Sequence, residues 1–210
     1  RMSPAVSVVI PCFNYGRFLR DAVASIQSQT FADHEIIVVD DGSTDDTEAV
    51  ARELGAAVRY LRQPNQGPSA ARNTGIAAAR GRYIGFLDAD DTWHPEKLAC
   101  QVPILDRRPE VVLVYTDSTY FDGATGHELG RHRERFAHYH GRVLGRLFLV
   151  GEELPDLLEA LAGVLGLPHN GVTLRASALR EAALPAGGRR AQARTARSPH
   201  CPRRRSAPPR

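Results

Sequence analysis

Arg82-Tyr83-Ile84-Gly85-Phe86-Leu87-Asp88-Ala89-Asp90-Asp91 is the stretch on which the fold turns. A short apolar run rich in β-formers ends abruptly in three carboxylates within four residues, and such a run reads as a buried strand. Carboxylates that close repel one another and raise each other's pKa unless a cation sits between them. Open α/β sheets place their ligands at the carboxyl ends of their strands, so a divalent metal is the expected cation. Asp88 and Asp90 flank one residue and would share a face of a strictly extended backbone. The strand must end or turn there for both to reach one ion. The competing reading is a solvated acidic turn that caps the next helix.

Toward the N-terminus, Val6 to Ile10 reads as a first strand, closed by Pro11 and the loop Cys12-Phe13-Asn14-Tyr15-Gly16. Phe18, Leu19, Ala22, Val23 and Ile26 then recur at helical spacing. Glu35 to Val39 is continuously apolar after its first residue, as expected of a strand with both faces buried, and it runs into Asp40-Asp41-Gly42-Ser43. Ser43 with Asp46 three residues on resembles a capping box, opening a helix that Gly55 closes. Ala57 to Leu61 is a third strand. Gln66-Gly67-Pro68-Ser69 opens a helix with Pro68 near its first position, and Gly81 ends it. Beyond the acidic stretch, Pro95 opens a helix reaching about Asp106, and Val111 to Tyr115 is a fifth strand. Strands alternating with helices predict an α/β fold, a mostly parallel sheet flanked by helices.

After Asp117 the pattern loosens. Residues 122–142 are rich in Gly, Arg and His and read as a loop or lid. Helical stretches are expected around Gly141 to Val150 and Leu154 to Leu165, then a strand over Gly171 to Leu174 and a helix over Ala176 to Ala183. The last acidic residue is Glu181, and eight arginines follow Gly188. They turn a body of 19 basic and 24 acidic groups, net −5, into a chain of net +3. The basic balance therefore belongs to the tail, and nucleic acid is not an expected partner of the body. Hydrophobic content of 42% and charged content of 24% suit a globular domain, and no apolar run approaches a membrane span. Cys12, Cys100 and Cys201 are odd in number and far apart, which fits neither a disulfide framework nor a zinc site. His127, His132, His138 and His140 lack a Cys or carboxylate at ligand spacing and read as a solvated loop.

Two acidic strand ends, Asp40-Asp41 and Asp88-x-Asp90, and the loop after the first strand thus share one sheet edge. That loop lacks G-x-G-x-x-G, which disfavours a dinucleotide-binding fold of the dehydrogenase kind, and it lacks the Gly-rich basic loop of a nucleotidyltransferase. Carboxylate oxygens at Asp88 and Asp90 suit Mg²⁺ or Mn²⁺.

Four blocks in order carry a family resemblance. Val6-Ser7-Val8-Val9-Ile10-Pro11-Cys12-Phe13-Asn14 resembles the opening of family 2 glycosyltransferases, which have the GT-A fold. So do Ser28-Gln29-Thr30-Phe31 followed by Glu35 to Asp45, the run Asn65-Gln66-Gly67-Pro68-Ser69-Ala70-Ala71-Arg72-Asn73-Thr74-Gly75, and the D-x-D block Gly81 to Asp91. The resemblance implies transfer of a sugar, with inversion, from a nucleotide diphosphate sugar to a hydroxyl acceptor such as a glycan, lipid-linked sugar or polysaccharide. It implies a cytoplasmic setting at the inner face of a membrane, with peripheral association. Pro11 and Phe13 would line the nucleobase pocket, and Asp41 would contact base or ribose. Arg72 would face the phosphates, and Asp88 with Asp90 would hold metal and diphosphate. Each has a plainer alternative: Phe13 as a core aromatic, Asp40 as a brace for the turn before Ser43, Arg72 as the partner of a helix-face acid. Asp91 is assigned to capping the helix near Pro95.

The resemblance places a 1–186 domain, with donor half 6–98 and a partial acceptor half 118–186. It fails where the family supplies its catalytic base, an acidic turn after a strand and helix like Gly171 to Glu181. Gly187-Gly188 and an arginine-rich run stand there instead. Residues 187–210 are expected to be a disordered basic tail or a shifted reading frame, since Arg, Pro and Ala are what GC-rich coding sequence yields out of frame. Asp117, Asp122, Glu152, Glu153 and Asp156 remain as substitute bases, none in a recognisable motif. The alternative function is a truncated relative that binds nucleotide sugar without turnover.

Overall fold

The computed structural model describes residues 3–116, 118–122, 125–131, 143–144, 147–151 and 171–182. β1 (Val6–Cys12), β2 (His34–Asp40), β3 (Arg59–Arg62) and β4 (Tyr83–Phe86) form a parallel half-sheet in the order β3-β2-β1-β4. β5 (Val111–Thr116) follows, then a separate hairpin of β6 (Thr119–Phe121) and β7 (Glu128–Arg131), then β8 (Val143–Leu144), β9 (Leu147–Gly151) and β10 (Val172–Arg175). β10 enters between β4 and β5, antiparallel to both, and β9 and β8 continue the sheet beyond β5 in antiparallel pairs. The expected α/β fold is present, with a sheet that is parallel on the β1 side and mixed beyond β4.

The α-helices among the described residues are α1 (Gly16–Gln27), α2 (Thr47–Leu54), α3 (Pro68–Ala78), α4 (Lys97–Arg107) and α5 (Ala176–Ala182). Successive side chains of β1 and β2 point to opposite faces, and both faces are covered. Val8, Ile10, Ile36 and Val38 pack with Leu19, Val23 and Ile26 of α1, Val50 of α2 and Leu98, Val102 and Leu105 of α4. Val9, Ile37, Val39, Ile84 and Phe86 pack with Ala71 and Ile76 of α3 and Leu179 of α5. This is why these strands read as unbroken apolar runs rather than alternating ones. The stripe Ala71, Gly75 and Ile76 brings α3 close to the sheet. A Cβ at Gly75 would lie 2.2 Å from Val9 Cγ1.

Ser7 is fully buried at the opposite end of β1. Its hydroxyl donates to Glu35 Oε1 (2.6 Å) and accepts from the amides of Gly81 (2.9 Å) and Arg80 (3.1 Å), fixing the link from α3 into β4. Ser7→Ala strands the buried Gly81 N–H and is expected to lower stability by about 1–3 kcal/mol. A denaturant midpoint unchanged from wild type would refute that accounting.

β10 is tied in by a buried polar cluster. Lys97 Nζ donates to Gln101 Oε1 (2.8 Å) and Thr173 Oγ1 (3.2 Å), and Gln101 Nε2 donates to the Gly171 carbonyl (2.8 Å). The ammonium lies 3.8 Å from the centre of the Trp93 ring. Burial pushes its pKa well below the usual lysine range. Trp93 occupies space that Gly85 leaves open, since a Cβ there would come 2.7 Å from Trp93 Cη2.

Five expectations are corrected. The first strand runs through Pro11 to Cys12, because β4 pairs with β1 only as far as Val9, so Pro11 lies beyond that ladder. Ser43 and Asp46 form no capping box: Ser43 Oγ accepts the amide of Asn14, and Asp45 binds Thr47 N at the start of α2. Asp91 does not cap α4, which begins at Lys97 with Glu96 at the N-cap position. The stretch expected to be helical to Val150 holds β8 and β9, where pairing with β5 overrides an ambiguous apolar run. The expected 122–142 loop holds β7, which pairs with β6 just before it as an antiparallel hairpin. Leu154 to Leu165 and the 187–210 tail lie outside the described residues.

Candidate functional site

The carboxyl ends of β1, β2 and β4 open onto a cavity of about 480 Å³. Pro11, Phe13, Asp41, Arg72, Asp88 and Asp90, the six site residues picked out from sequence, all stand in its wall. Cys12, Tyr15, Asn65, Gly67, Pro68, Ala71 and Ala89 complete it.

Two loops zip together to shape one side. Asn14 adopts a left-handed backbone (φ 59°) and donates its amide to Ser43 Oγ (2.9 Å), while its side-chain oxygen accepts Thr44 N (2.8 Å). Gly16 N donates to Asp45 Oδ2 (3.0 Å). Partial burial raises the pKa of the Asp45 carboxyl, but hydrogen bonds from the Thr47 hydroxyl and the Gly16 and Thr47 amides outweigh that and hold it below its ordinary value. This lacing leaves Phe13 43% and Tyr15 40% exposed at the cavity, so Phe13 is not a core aromatic. Tyr15 leans on Phe18, ring centres 5.7 Å apart. It was missed in the sequence although it stands in the marked loop two residues past Phe13. Cys12 is an inert wall: burial pushes its thiol up to about 11.

The two acids ending β2 have separate tasks. Asp40 is fully buried; Oδ1 accepts Ser43 N (2.7 Å) and Oδ2 accepts the Tyr60 hydroxyl (2.5 Å). It braces the turn. Asp41 Oδ1 accepts Gln63 Nε2 (2.7 Å) and Gln66 N (3.0 Å), and Oδ2 accepts Gly67 N (2.7 Å). Its carboxylate therefore clamps the 63–67 loop and the entry to α3 against β2, while lining the cavity. Gly42, the residue after Asp41, has φ 79°, and a Cβ there would lie 2.8 Å from Asn65 N. Only glycine permits that conformation and that approach.

β4 ends at Phe86, and Asp91 N donates to the Asp88 carbonyl (3.1 Å), closing a turn over 88–91. The turn that the D-x-D spacing requires is thus present, with Asp88 32% and Asp90 freely exposed at the wall. Arg72 reaches across from α3 and donates Nη2 to Asp88 Oδ1 (2.8 Å). Its partner is the metal-candidate acid itself, not an acid on its own helix face. Arg72 Nε is buried with no hydrogen-bond partner.

Among the described residues no three His, Cys, Asp or Glu side chains converge as a metal cage. Mg²⁺ and Mn²⁺ sites at phosphates need only one or two protein carboxylates, with water and phosphate oxygens completing the shell. Asp88 and Asp90 fit that open donor set. Asp122 is not placed as a base: its Oδ1 accepts the Thr125 amide (2.8 Å) and hydroxyl (2.9 Å) in the β6–β7 turn. Asp117, Glu152, Glu153 and Asp156 lie outside the described residues.

A parallel half-sheet whose loops open at one edge, with antiparallel strands completing the sheet, is the architecture of the GT-A glycosyltransferases. The crystal structure of residues 1–349 of TarS from Staphylococcus aureus superposes with a TM-score of 0.56 at 21% identity, covering 86% of this chain and 49% of that one. Residues 7–162 match the family model described as glycosyl transferase family 2, and the chain belongs to that family. An uncharacterized glycosyltransferase of Rickettsia prowazekii is 41% identical over 105 residues, half of this chain and 33% of the relative. One from a Nostoc species is 45% identical over 97 residues, 44% of this chain and 30% of the relative. The chain thus matches about a third of the length of these relatives, and both matches fall short of the whole family segment.

Proposed function

We propose that this chain binds a nucleotide diphosphate sugar and transfers the sugar, with inversion, to a hydroxyl acceptor, using Mg²⁺ or Mn²⁺ held by Asp88 and Asp90. The observation that carries the reading is the meeting of both acidic residues, Arg72 and the exposed ring of Phe13 around one cavity at the strand ends. Phe13 and Pro11 offer apolar surface to a nucleobase, with Tyr15 beside them. Asp41 fixes the loop on which the base and ribose would rest. Arg72 supplies a guanidinium suited to phosphate oxygens. The metal, when bound, would stabilise the charge that develops on the departing diphosphate. The acceptor's proton needs a carboxylate on the far side of the sugar, and none of the described acids is assigned to it. A cytoplasmic, membrane-proximal setting belongs to the same proposal.

A second reading, a donor-binding relative without turnover, is supported by the arginine-rich run that stands after Gly187-Gly188 in place of an acidic turn. One screen addresses both. In Mn²⁺, a matching nucleotide diphosphate sugar is expected to raise the melting temperature, and release of nucleotide diphosphate distinguishes an enzyme from a binder. If no sugar nucleotide of any base stabilises the chain, both readings fall.

A further inference from the structure

We propose that Arg72 is a positioning residue that changes partners: it holds Asp88 until a diphosphate arrives, then moves to the phosphates and yields Asp88 to the metal. The idea rests on the donor and metal reading above. Three observations carry it. Arg72 Nη2 is 2.8 Å from Asp88 Oδ1, so the guanidinium already occupies an oxygen that a metal would need. Both side chains line the same cavity, 17% and 32% exposed, where screening by water is reduced. Arg72 Nε is buried and unpaired, so the present pairing leaves part of a five-donor guanidinium unsatisfied.

Those facts set a competition. A divalent cation sharing Asp88 with Arg72 sits beside a like charge, which weakens its binding. A diphosphate offers several oxygens to the planar guanidinium and can engage it by two parallel bonds, a better match than one carboxylate oxygen. Once Arg72 turns to the phosphates, Asp88 belongs to the metal. Diphosphate and metal then strengthen each other's binding, and by linkage the factor is the same in both directions. The ion pair also spares the site a bare pair of carboxylates when no donor is bound.

The test counts unbound Mn²⁺ by electron paramagnetic resonance on the full 210-residue chain, alone and with saturating UDP or GDP in parallel arms. For wild type, Mn²⁺ alone binds weakly and nucleotide tightens it. Arg72→Gln is expected to tighten Mn²⁺ alone by about 5–10-fold and to shrink the nucleotide's enhancement by a similar factor. Equal tightening with and without nucleotide is ordinary removal of a positive charge and overturns the exchange. Unchanged or weaker Mn²⁺ binding overturns it as well. Mn²⁺ binding that needs Asp88 but ignores Arg72 defeats the exchange while sparing the metal reading. Binding absent throughout, or indifferent to Asp88→Asn, defeats both. If Arg72→Gln does not fold, Arg72→Lys carries the test; it keeps the charge but not the planar fork, and its coupling must fall below wild type.

Discussion

Asp88→Asn is expected to cut donor turnover at least about 100-fold, and Asp90→Asn to do likewise, while the ligand-free melting temperature stays within a few degrees. Asparagine keeps the shape of the side chain and can still accept from Arg72, so the 88–91 turn, which rests on a backbone hydrogen bond, survives. The ion pair lost at Asp88 is partly solvated and contributes about 0–1 kcal/mol. What disappears is the negative charge that a hard cation requires. Removing one electrostatic contributor to a transition state typically costs 10²- to 10³-fold, about 2.7–4 kcal/mol. The measurement is nucleotide diphosphate release from the stabilising sugar nucleotide in Mn²⁺, repeated with EDTA. Turnover within threefold of wild type in both variants, or insensitivity to EDTA, would falsify the metal assignment. If wild type itself does not turn over, the same variants are compared by Mn²⁺-dependent stabilisation with UDP and GDP.

The second large effect lies under the site rather than in it. Gly75→Ala is expected to destabilise the chain by about 2–3 kcal/mol, and Gly75→Val to prevent soluble folding. The added Cβ would meet Val9 Cγ1 at 2.2 Å and Cγ2 at 2.9 Å. Val9 cannot retreat: it is fully buried, paired with Ile37 on one side and Phe86 on the other. The helix must lift instead, and overpacking of this kind costs about 1–3 kcal/mol, occasionally more. α3 also carries Arg72 and begins beside Gly67, whose amide Asp41 holds. Lifting it should therefore weaken nucleotide binding in step with stability. In the double variant Gly75→Ala, Val9→Ala, a coupling of about 1 kcal/mol or more should appear, since the residues are in contact. A Gly75→Ala chain that melts with wild type would show that α3 does not pack as described.

The donor-side fold was legible because its strands are buried on both faces, which writes itself as unbroken apolar runs ending in acids. The meeting of Asp41 and Asp88 at one cavity was legible for the same reason, because a parallel sheet brings its carboxyl strand ends to one edge. What local pattern could not reveal was non-local. Ser43 looks like a cap until Asn14, some thirty residues away, claims its hydroxyl. The run 147–151 is apolar enough for either period, and only β5 decides it. The antiparallel entry of β10 between β4 and β5 contradicts no local signal, but alternation alone points to parallel pairing. Asp41 as a loop clamp was hidden as well, because two of its three partners, the amides of Gln66 and Gly67, carry no side-chain signature.

The single lysine of this chain has a practical consequence. With Lys97 sealed beneath Trp93 and bonded to Gln101 and Thr173, the folded protein presents no side-chain amine to solvent. Amine-reactive reagents at neutral pH should leave Lys97 unmarked while the fold is intact. Acylation of Lys97 then becomes a chemical clock for the moments when α4 parts from β10, a local opening that can be timed separately from global unfolding.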